Sequence, residues 1–520
     1  MKILNFLKNH KTFIFISVLI LLIAVVYGQS LIFDYTYFDD NELILEKVDV
    51  LKNYKNIPGY FLESYEAFYR PLLTTSFAIE SFISGANPFL YHLTNVILHI
   101  ISAILMFILL NRLNFNKTVV YFFTLLFAVH PAFVQAVAWI PGRNDTLIAI
   151  FTFASFIFLH DYFDYGKRNI KIVLFFVMCL LGLFTKETMV VMIVIVPAFM
   201  FLFCRNVIRR DYFVIMAGLL ILSGIYFTAR FYALSGLGVS AHAILINIKN
   251  SLPLFLSYIE FAIIPARICL FNVEMPVDFL ILASLIIVLI PLSSTLFFKR
   301  ERKNIIIFGA LWFIIFMLPT FAYSVKLNYY YSHRLYLASF GIIIMFLEFF
   351  TVLLQKYEFL KKYFVILFSV LICIFSISSY WQSKKFTNRL YFLSNALIES
   401  PNIADIRSRV ALYYADKGMF EEAKKEIFRA LELAPDKLIY YENLGCIYAL
   451  EKDYERAKEV FETVLQKNPN RKISLYTLSQ LYYISGNKKE ALDFAERLIN
   501  LYPKNIRYKT YYDKVKENIE

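Results

Sequence analysis

Charge and cysteine are both scarce in this sequence, and each scarcity excludes a class of protein. Charged residues make up 18% of the 520 positions, whereas apolar residues reach 59%, a share well above that of soluble domains. The five cysteines include no CxxC pair, so neither a disulfide framework nor a zinc site is indicated. A soluble multidomain protein is therefore excluded, and the lipid bilayer is the expected solvent.

The excess of basic residues does not indicate nucleic-acid binding. The formal net charge is +13, yet residues 401–520 carry 21 Lys and Arg against 19 Asp and Glu. The excess lies in the apolar part of the chain, in short segments between apolar runs, where Lys and Arg favour the cytoplasmic side. We expect this charge to orient helices in the membrane, and we expect no nucleic-acid partner.

Twelve apolar runs are long enough to be candidate membrane spans. The first, Thr12 to Tyr27, is not followed by a small-residue cleavage site, which indicates an uncleaved helix with a cytoplasmic N-terminus. The others lie near residues 89–110, 118–139, 146–161, 170–185, 187–204, 212–231, 251–270, 277–298, 304–323, 335–353 and 363–379. The predicted fold class is all-α, a polytopic helical membrane protein with about eleven to twelve transmembrane helices.

Basic residues in the connecting segments test this count. The basic segments 112–117, 167–171 and 205–210 fall in alternate loops, as cytoplasmic loops should. The basic run 299–303 would lie outside if both apolar runs before it crossed the membrane. The first of those runs, 251–270, is therefore interpreted as re-entrant or interfacial, which leaves eleven crossings and an extracytoplasmic C-terminus. The segment 28–88 is then a long extracytoplasmic loop.

The last 120 residues carry a sequence repeat. Proline recurs every 34 residues, the period of a helix-turn-helix solenoid unit, at Pro401, Pro435, Pro469 and Pro503. The pattern predicts a tetratricopeptide-repeat (TPR) α-solenoid over 401–520, with three repeats and a capping helix from Lys504 to Glu520. A transmembrane domain at 1–385 and a linker at 386–400 precede it. Such arrays usually bind proteins or peptides; the alternative is a spacer or dimerisation surface.

Ionisable residues gather at the predicted extracytoplasmic ends of the helices and are the candidates for a catalytic and substrate-binding site. Such residues are costly near a bilayer and mark either function or structural pairing. They are Asp39 and Asp40 in FDDNELI, Arg70 in YRPL, His92 and His99 in YHLTNVILH, His130, Arg143 and Asp145 in HPAFVQAVAWIPGRND, Lys186 and Glu187 in TKET, and His333 and Arg334 in SHRLYL.

A structural alternative exists for these candidates. Two adjacent acids such as Asp39 and Asp40 are often solvated surface residues. His92, Asn95 and His99 share a helical face, a spacing that is also typical of interhelical hydrogen bonding. The alternatives elsewhere are a local ion pair, for Lys186 with Glu187, and capping of the fourth helix, for Arg143 with Asp145.

Together these residues favour group transfer from a lipid-linked phosphate donor at the membrane surface. A loop carboxylate can take the proton of an acceptor hydroxyl, and Arg and Lys can stabilise the departing phosphate. A polyprenyl tail would lie between helices. Two alternatives remain: a non-catalytic membrane scaffold whose repeats recruit partners, and a transporter for lipid-linked glycans, which would place its ionisable residues nearer the midplane.

The motifs FDDNELI, YRPLLTTSFAIE, YHLTNVILH, HPAFVQAVAWIPGRND, TKE and SHRLYLASFG, followed by the repeats, resemble the bacterial relatives of the transmembrane and TPR-containing O-mannosyltransferases, of the GT-C glycosyltransferase superfamily. The resemblance covers most of the chain and implies an enzyme of the EC 2.4 class with a GT-C-like membrane domain. It implies transfer of a sugar, with mannose suggested by the family, from a polyprenyl-phosphate carrier to a protein hydroxyl on the extracytoplasmic face. The expected partners are this donor, an acceptor protein or peptide, and membrane lipid.

The resemblance also assigns residue roles. Asp39 or Asp40 matches the acidic motif of the first outer loop, the presumed base or metal contact, and Asp39 is favoured as the base. The candidate phosphate contacts are Arg143, Lys186 and Arg334. Gln135 departs from the pattern, because relatives often carry an acid in the stretch after HP. A divalent cation, Mg or Mn, is an open expectation, since Asp39 and Asp40 alone make an incomplete shell.

The few glycines, 15 in all, the moderate length and the lack of a eukaryotic sorting signal are compatible with a bacterial inner membrane. The site and the repeats would then lie outside the cytoplasm. A location in the endoplasmic reticulum would give the same topology. No motif encodes the sugar or the acceptor.

Overall fold

The computed structural model describes residues 11–64, 68–164, 169–205, 207–234, 252–271, 277–323, 331–503 and 506–518, and no β-strand occurs among them. The predicted all-α class is confirmed. The chain divides into two compact units, Met1–Phe392 and Leu393–Glu520. The first contains the long apolar helices, and the second contains a series of paired helices.

The first unit begins with one long helix and a folded segment of short ones. α1 covers Lys11–Tyr27, α2 covers Asp39–Leu43 and α3 covers Val48–Leu51. α4, Pro71–Ser84, and α5, Pro88–Arg112, each begin with a proline, because the first turn of a helix does not need that residue's N–H. The predicted loop 28–88 is therefore largely helical where it is described.

The helices that follow before the repeats are α6 (Lys117–Ala128), α7 (Val134–Ala138), α8 (Arg143–Asp164), α9 (Asn169–Thr185), α10 (Met192–Phe203), α11 (Arg209–Ala233), α12 (Leu252–Ile263), α13 (Phe279–Ser294), α14 (Arg300–Tyr323), α15 (Leu335–Lys356), α16 (Leu360–Ser383) and α17 (Arg389–Glu399). Short 3₁₀ turns join several of them. Three of these turns, at Pro131–Phe133, Glu187–Val191 and Ser332–Arg334, carry or adjoin candidate site residues.

Seven helices in the described part of the chain are long and apolar enough to cross a membrane, so the chain is a multi-pass integral membrane protein. They are Lys11–Ile32, Pro88–Arg112, Ile140–Asp164, Arg209–Ala233, Arg302–Phe321, Ser332–Lys356 and Leu360–Phe386. Four further apolar helices are shorter, at Asn169–Thr185, Glu187–Phe203, Leu254–Ile263 and Phe279–Ser294. Eleven to twelve crossings therefore require the shorter helices to cross as well.

The run predicted as one helix at 118–139 is bent. Lys117–Ala128 and Pro131–Ala138 meet at 46°, because Pro131 lacks the N–H that would continue the helical bonding and its ring clashes with the preceding turn. The two halves together form an eighth candidate span. The bend carries His130 and turns α7 towards the candidate site.

α14 and α15 come into backbone contact through two glycines. A Cβ atom at Gly309 would lie 2.5 Å from the Gly341 carbonyl oxygen, and one at Gly341 would lie 2.3 Å from the Gly309 carbonyl oxygen. Small residues allow such close approach in membrane helices. The Trp312 indole also donates a hydrogen bond to the Leu337 carbonyl at 3.0 Å. These contacts fix the first turns of α15, directly after His333 and Arg334.

The second unit repeats one helix pair three times. Its helices are α18 (Ala404–Asp416), α19 (Phe420–Leu433), α20 (Leu438–Glu451), α21 (Tyr454–Lys467), α22 (Lys472–Ile484), α23 (Lys488–Leu501) and α24 (Ile506–Glu517). The turn inside each pair has a left-handed residue at Gly418, Lys452 or Gly486, with φ of 75°, 68° and 82°. The final helix corresponds to the predicted cap, although Lys504 itself lies outside the described residues.

Candidate active site

The acidic pair lies at the start of α2, and its two members differ in burial. Asp40 is buried, and its Oδ2 accepts hydrogen bonds from the Thr36 amide at 2.7 Å and from the Thr36 hydroxyl. Burial raises the pKa of the Asp40 carboxyl to about 6, although the bonds from Thr36 act in the opposite direction. Asp39 is half-buried. Asp39 is therefore the more accessible of the two acids.

Trp139 links this acidic pair to a second polar group. Its indole N–H donates to the Thr36 hydroxyl at 3.2 Å, and its ring centroid lies 6.1 Å from that of His333. The Tyr331 ring lies 5.9 Å from Trp139 and stacks on His333 at 5.1 Å. An aromatic wall therefore runs from the Thr36–Asp40 pair to the turn before α15.

The second group is a cluster of ion pairs between separate stretches of the chain. The Lys186 ammonium donates to Asp145 Oδ1 at 2.6 Å, and His333 Nε2 lies 3.7 Å from Asp145 Oδ2. The Arg70 guanidinium binds both carboxylate oxygens of Glu187, at 3.2 and 2.8 Å. Lys186 and Glu187 therefore bind partners from elsewhere in the chain, contrary to the local ion pair considered as their structural alternative.

Arg334 adds a further positive charge to this cluster. It is half-buried, and its hydrogen bond to the Thr320 carbonyl is long, at 3.4 Å. Asp145, Lys186, Arg334 and Arg70 all act electrostatically on His333. With Glu187, which pairs with Arg70, the cluster contains three cations and two carboxylates. The excess positive charge suits an anionic ligand.

Gln135 positions the turn that carries His333. Its side-chain oxygen lies 3.0 Å from His333 Nδ1, and its side-chain nitrogen donates to the Leu270 carbonyl at 2.6 Å. A carboxylate at this position would lose the bond to Leu270, because it has no hydrogen to donate. Gly142 packs on the same residue, since a Cβ there would lie 2.1 Å from the Gln135 carbonyl oxygen. The amide thus has a structural role that an acid could not fill.

Arg143 does not lie in an outer loop, as the sequence predicted, but in the first turn of α8. It is completely buried. Its guanidinium donates to Asn95 Oδ1 at 2.8 Å, to Glu80 Oε2 at 2.6 Å and to the Tyr91 carbonyl at 2.8 Å. Arg143 ties α4, α5 and α8 together, and its burial leaves no access for a phosphate. It is therefore removed from the candidate phosphate contacts.

The histidines of the helices also make structural contacts. His99 Nε2 donates to the Ala128 carbonyl at 2.9 Å, and Nδ1 then accepts from the Tyr336 hydroxyl at 2.7 Å. His130 caps the 3₁₀ turn that follows it by accepting a backbone N–H. His92 is buried within α5. Asn95 and His99 thus serve interhelical bonding, the alternative considered for this spacing.

Three residues of this region were not among the sequence candidates. Thr36 and Trp139 connect Asp40 to the ionic cluster, and Glu80 neutralises Arg143. Two signals were available in the sequence. Trp139 is one of three tryptophans in the chain and lies inside a quoted motif, and Glu80 is the single charged residue of α4. Thr36 carried no signal, because threonine is common in such segments.

An apolar cavity of about 600 Å³ lies beside α15. One face of α15 lines it, at i, i+3, i+4, i+7 and i+11, through Ser339, Ile342, Ile343, Phe346 and Phe350. Ser339 is five residues beyond Arg334, about 8 Å along a helix, and the lining face extends for about 16 Å further. His130 and Phe133 also line the cavity. The cavity therefore extends away from the ionic cluster along α15.

The acidic pair does not form a complete metal site. No group of three or more His, Cys, Asp or Glu side chains able to hold a metal ion occurs among the residues that the structure describes. Asp39 and Asp40 are adjacent, and Asp40 already accepts two hydrogen bonds from Thr36. Mg and Mn prefer six oxygen ligands. These two side chains alone do not fit such a site.

Several stretches of the chain are similar in sequence to known proteins. A family model described as a tetratricopeptide repeat matches residues 448–512. Protein O-mannosyl-transferase TMTC1 of Mus musculus is 38% identical over 99 residues, which is 19% of this chain and 10% of that protein. Protein O-mannosyl-transferase F38B6.6 of Caenorhabditis elegans is 25% identical over 387 residues, which is 71% of this chain and 54% of that protein. The chain resembles the protein O-mannosyl-transferases.

The resemblance predicted from the motifs is thereby confirmed. A further O-mannosyl-transferase, TMTC3 of Mus musculus, is 30% identical over 152 residues, which is 27% of this chain and 16% of that protein. The matched stretches span between 10% and 54% of the three O-mannosyl-transferases compared. The chain thus matches about half of these relatives at most.

Proposed function

We propose that this protein is a membrane glycosyltransferase that transfers a sugar, with mannose as the first candidate, from a polyprenyl-phosphate carrier to a protein hydroxyl on the extracytoplasmic face. The observation that carries the proposal is that the ionic cluster lies at the start of α15 and that the cavity begins at Ser339, about 8 Å further along the same helix. A lipid-linked sugar phosphate combines an anionic group with a long apolar tail. The two parts of the site match these two chemistries.

The cationic cluster would stabilise the leaving group. When the bond between the sugar C1 and the phosphate oxygen breaks, its electron pair stays on that oxygen, and the carrier phosphate gains negative charge. Cations placed at that position stabilise the transition state more than the ground state. Arg334 and Lys186 are the side chains proposed for this role, and Arg70 is already paired with Glu187.

The apolar cavity would hold the first part of the carrier tail. Its lining is almost entirely aliphatic and aromatic, and each CH₂ group removed from water is worth about 0.8 kcal/mol. Lipid already surrounds a free carrier, so the gain on entering the cavity is smaller than this value. The cavity would therefore contribute orientation and selection among tails more than affinity.

Asp39 would act as the base. It would take the proton of the acceptor hydroxyl while the hydroxyl oxygen forms a bond to the sugar C1. Asp40, fixed by Thr36, would hold the short helix α2 in place. The TPR repeats would bind the acceptor or a partner protein, as repeat arrays often do.

Sugar transfer by the wild-type protein and by the Arg334→Gln variant tests the proposal. The full chain in liposomes should transfer radiolabelled mannose from polyprenyl-phosphate mannose to membrane proteins. A charge-assisted hydrogen bond contributes about 1.5–3 kcal/mol, so Arg334→Gln should lower kcat/KM for the donor by about 10- to 100-fold.

Arg205→Gln is the matched control for this variant. Arg205 is 80% exposed and follows the C-terminal end of α10. The length of that helix puts this end about 18 Å from its N-terminal end. The control should keep wild-type kcat/KM. No transfer from a panel of polyprenyl-phosphate sugars would overturn the proposed function, and equal losses in the two variants would remove Arg334 from the phosphate site.

The Ile343→Trp variant tests the cavity. A larger side chain on the lining face of α15 should exclude a long tail but not a short one. We expect KM to rise at least tenfold for a long-chain polyprenyl-phosphate donor and to change little for a donor with two prenyl units. Ile366→Trp is the control, because Ile366 is exposed on α16 and does not line the cavity. Equal KM values for wild-type and Ile343→Trp would place the tail elsewhere.

A further inference from the structure

The segment before the acidic pair has a strained backbone. Tyr37 has a φ of 56°, in the left-handed region that non-glycine residues rarely adopt. Its side chain is 41% exposed, so burial of the ring does not explain this conformation. Strain of this kind persists only where surrounding contacts determine the backbone, and it is frequent at functional sites. The contacts that hold Tyr37 therefore also bear on the position of Asp39, two residues later.

Part of the support comes from residues 387–392, which follow the last long membrane helix, α16. On one side of Tyr37, the Asp34 amide donates to the Thr387 carbonyl at 2.8 Å. On the other side, the Phe38 ring packs against the Phe392 ring with centroids 5.6 Å apart. The chain is thus fixed three residues before Tyr37 and directly after it by the same short segment.

Arg389 contacts Tyr37 itself. Its guanidinium carbon lies 5.9 Å from the centroid of the Tyr37 ring, within the range of a cation–π interaction. The Phe38 ring also contacts Phe271 at 5.2 Å and Trp139 at 6.4 Å. Phe38 therefore lies among rings from three parts of the chain, and one of them, Trp139, belongs to the wall of the candidate site.

We propose that Arg389 and Phe392 are positioning residues for Asp39. They hold Tyr37 in the left-handed conformation, and this conformation sets the direction in which α2 presents its first carboxylate. The inference rests on the proposed function for the role of Asp39, and it extends the site to residues beyond every candidate taken from the sequence. A misplacement of about 1 Å at a reacting group can lower a rate about 100-fold, so modest loosening should be measurable.

Hydrogen–deuterium exchange of the full chain tests the contact without any activity. Arg389→Ala and Phe392→Ala should each increase exchange of the amides in residues 33–43 at least fivefold, with little change in α5 and α8. Leu390→Ala is the matched control, because Leu390 lies between the two residues and its side chain is 47% exposed. Unchanged exchange in residues 33–43 in both variants would overturn the inference.

Kinetics of sugar transfer test the role of the contact. Arg389→Ala should lower kcat about tenfold and leave the KM for the donor unchanged, because the phosphate and tail sites are separate from Tyr37. Arg389→Lys should restore at least half of kcat, since an ammonium keeps the cation–π contact. A loss that appears in KM, or an equal loss of kcat in Leu390→Ala, would reject the positioning role. A wild-type protein without transfer would refute the proposed function, while the exchange result would still decide whether this segment holds the acidic pair.

Discussion

Replacing Asp39 by Asn is expected to lower kcat for sugar transfer by about 100- to 10,000-fold, the usual contribution of a positioned general base. The amide has nearly the shape of the carboxylate but does not accept the proton of the acceptor hydroxyl. Transfer of radiolabelled mannose to membrane proteins, measured at matched protein levels, gives the result directly. Donor KM should change little, because Asp39 is not assigned a contact with the phosphate.

Two further variants show which acid is responsible for the loss of kcat. Asp49→Asn changes an acid in the same folded segment whose side chain is 86% exposed, and it should retain wild-type kcat. Asp40→Asn keeps an oxygen that can accept from the Thr36 amide, so its loss should be about tenfold or less. A large loss in Asp40→Asn with an active Asp39→Asn would assign the base to Asp40. Full activity in both would remove the base from this segment.

Arg143→Leu is expected to destabilise the protein by about 3–5 kcal/mol, because it leaves Glu80 buried without its cation. Both side chains are almost completely buried, at 0% and 5% exposure. The double variant Arg143→Leu with Glu80→Leu removes both charges and should recover much of this loss, since apolar residues can replace a buried pair at little cost. The free energy of unfolding in mixed detergent micelles measures both effects.

The Arg429→Leu variant provides the comparison for this prediction. Arg429 pairs with Glu432, and both side chains are about 60% exposed, so its loss should change stability by at most about 1 kcal/mol. A similarly small effect of Arg143→Leu would contradict the structural role assigned to Arg143. Loss of transfer in a stable Arg143→Leu protein would instead return Arg143 to the substrate site.

The parts of the fold set by local patterns were predictable from the sequence. The TPR repeats depend on positions 34 residues apart, and the membrane helices depend on runs of apolar residues. The bend at Pro131 was missed because prolines are also tolerated inside membrane helices. The short helices of 28–88 were missed because they contain no long run of apolar residues and are held by contacts with other parts of the chain.

The motifs located most of the candidate site but not the pairing within it. Lys186 and Glu187 are adjacent, and their spacing offered a local pair. In the structure Lys186 reaches Asp145, 41 residues away, and Glu187 reaches Arg70, 117 residues away. Such pairing depends on how helices meet, which a single sequence does not encode. The burial of Arg143 also depends on how the helices meet, so the sequence did not predict it.

The resemblance favoured Asp39 as the base, and the fold adds a difference in the surroundings of the two acids. Asp39 and Asp40 are the same residue type in adjacent positions, so sequence favours neither by chemistry. Asp40 is buried and bonded to Thr36, whereas Asp39 is half-buried. The departure at Gln135 was visible in the sequence, but its reason, the bond to the Leu270 carbonyl, was not.

The cavity beside α15 reaches the outer surface of the helical assembly. Leu367 and Ile374 of α16 line it and are 54% and 53% exposed, on a helix that is long and apolar enough to cross a membrane. A ligand of this cavity would enter sideways from the bilayer and not from water. Its occupancy would then follow the mole fraction of the ligand among the surrounding lipids, so the composition of the membrane, and not the volume of the solution, would set how fully the site is filled.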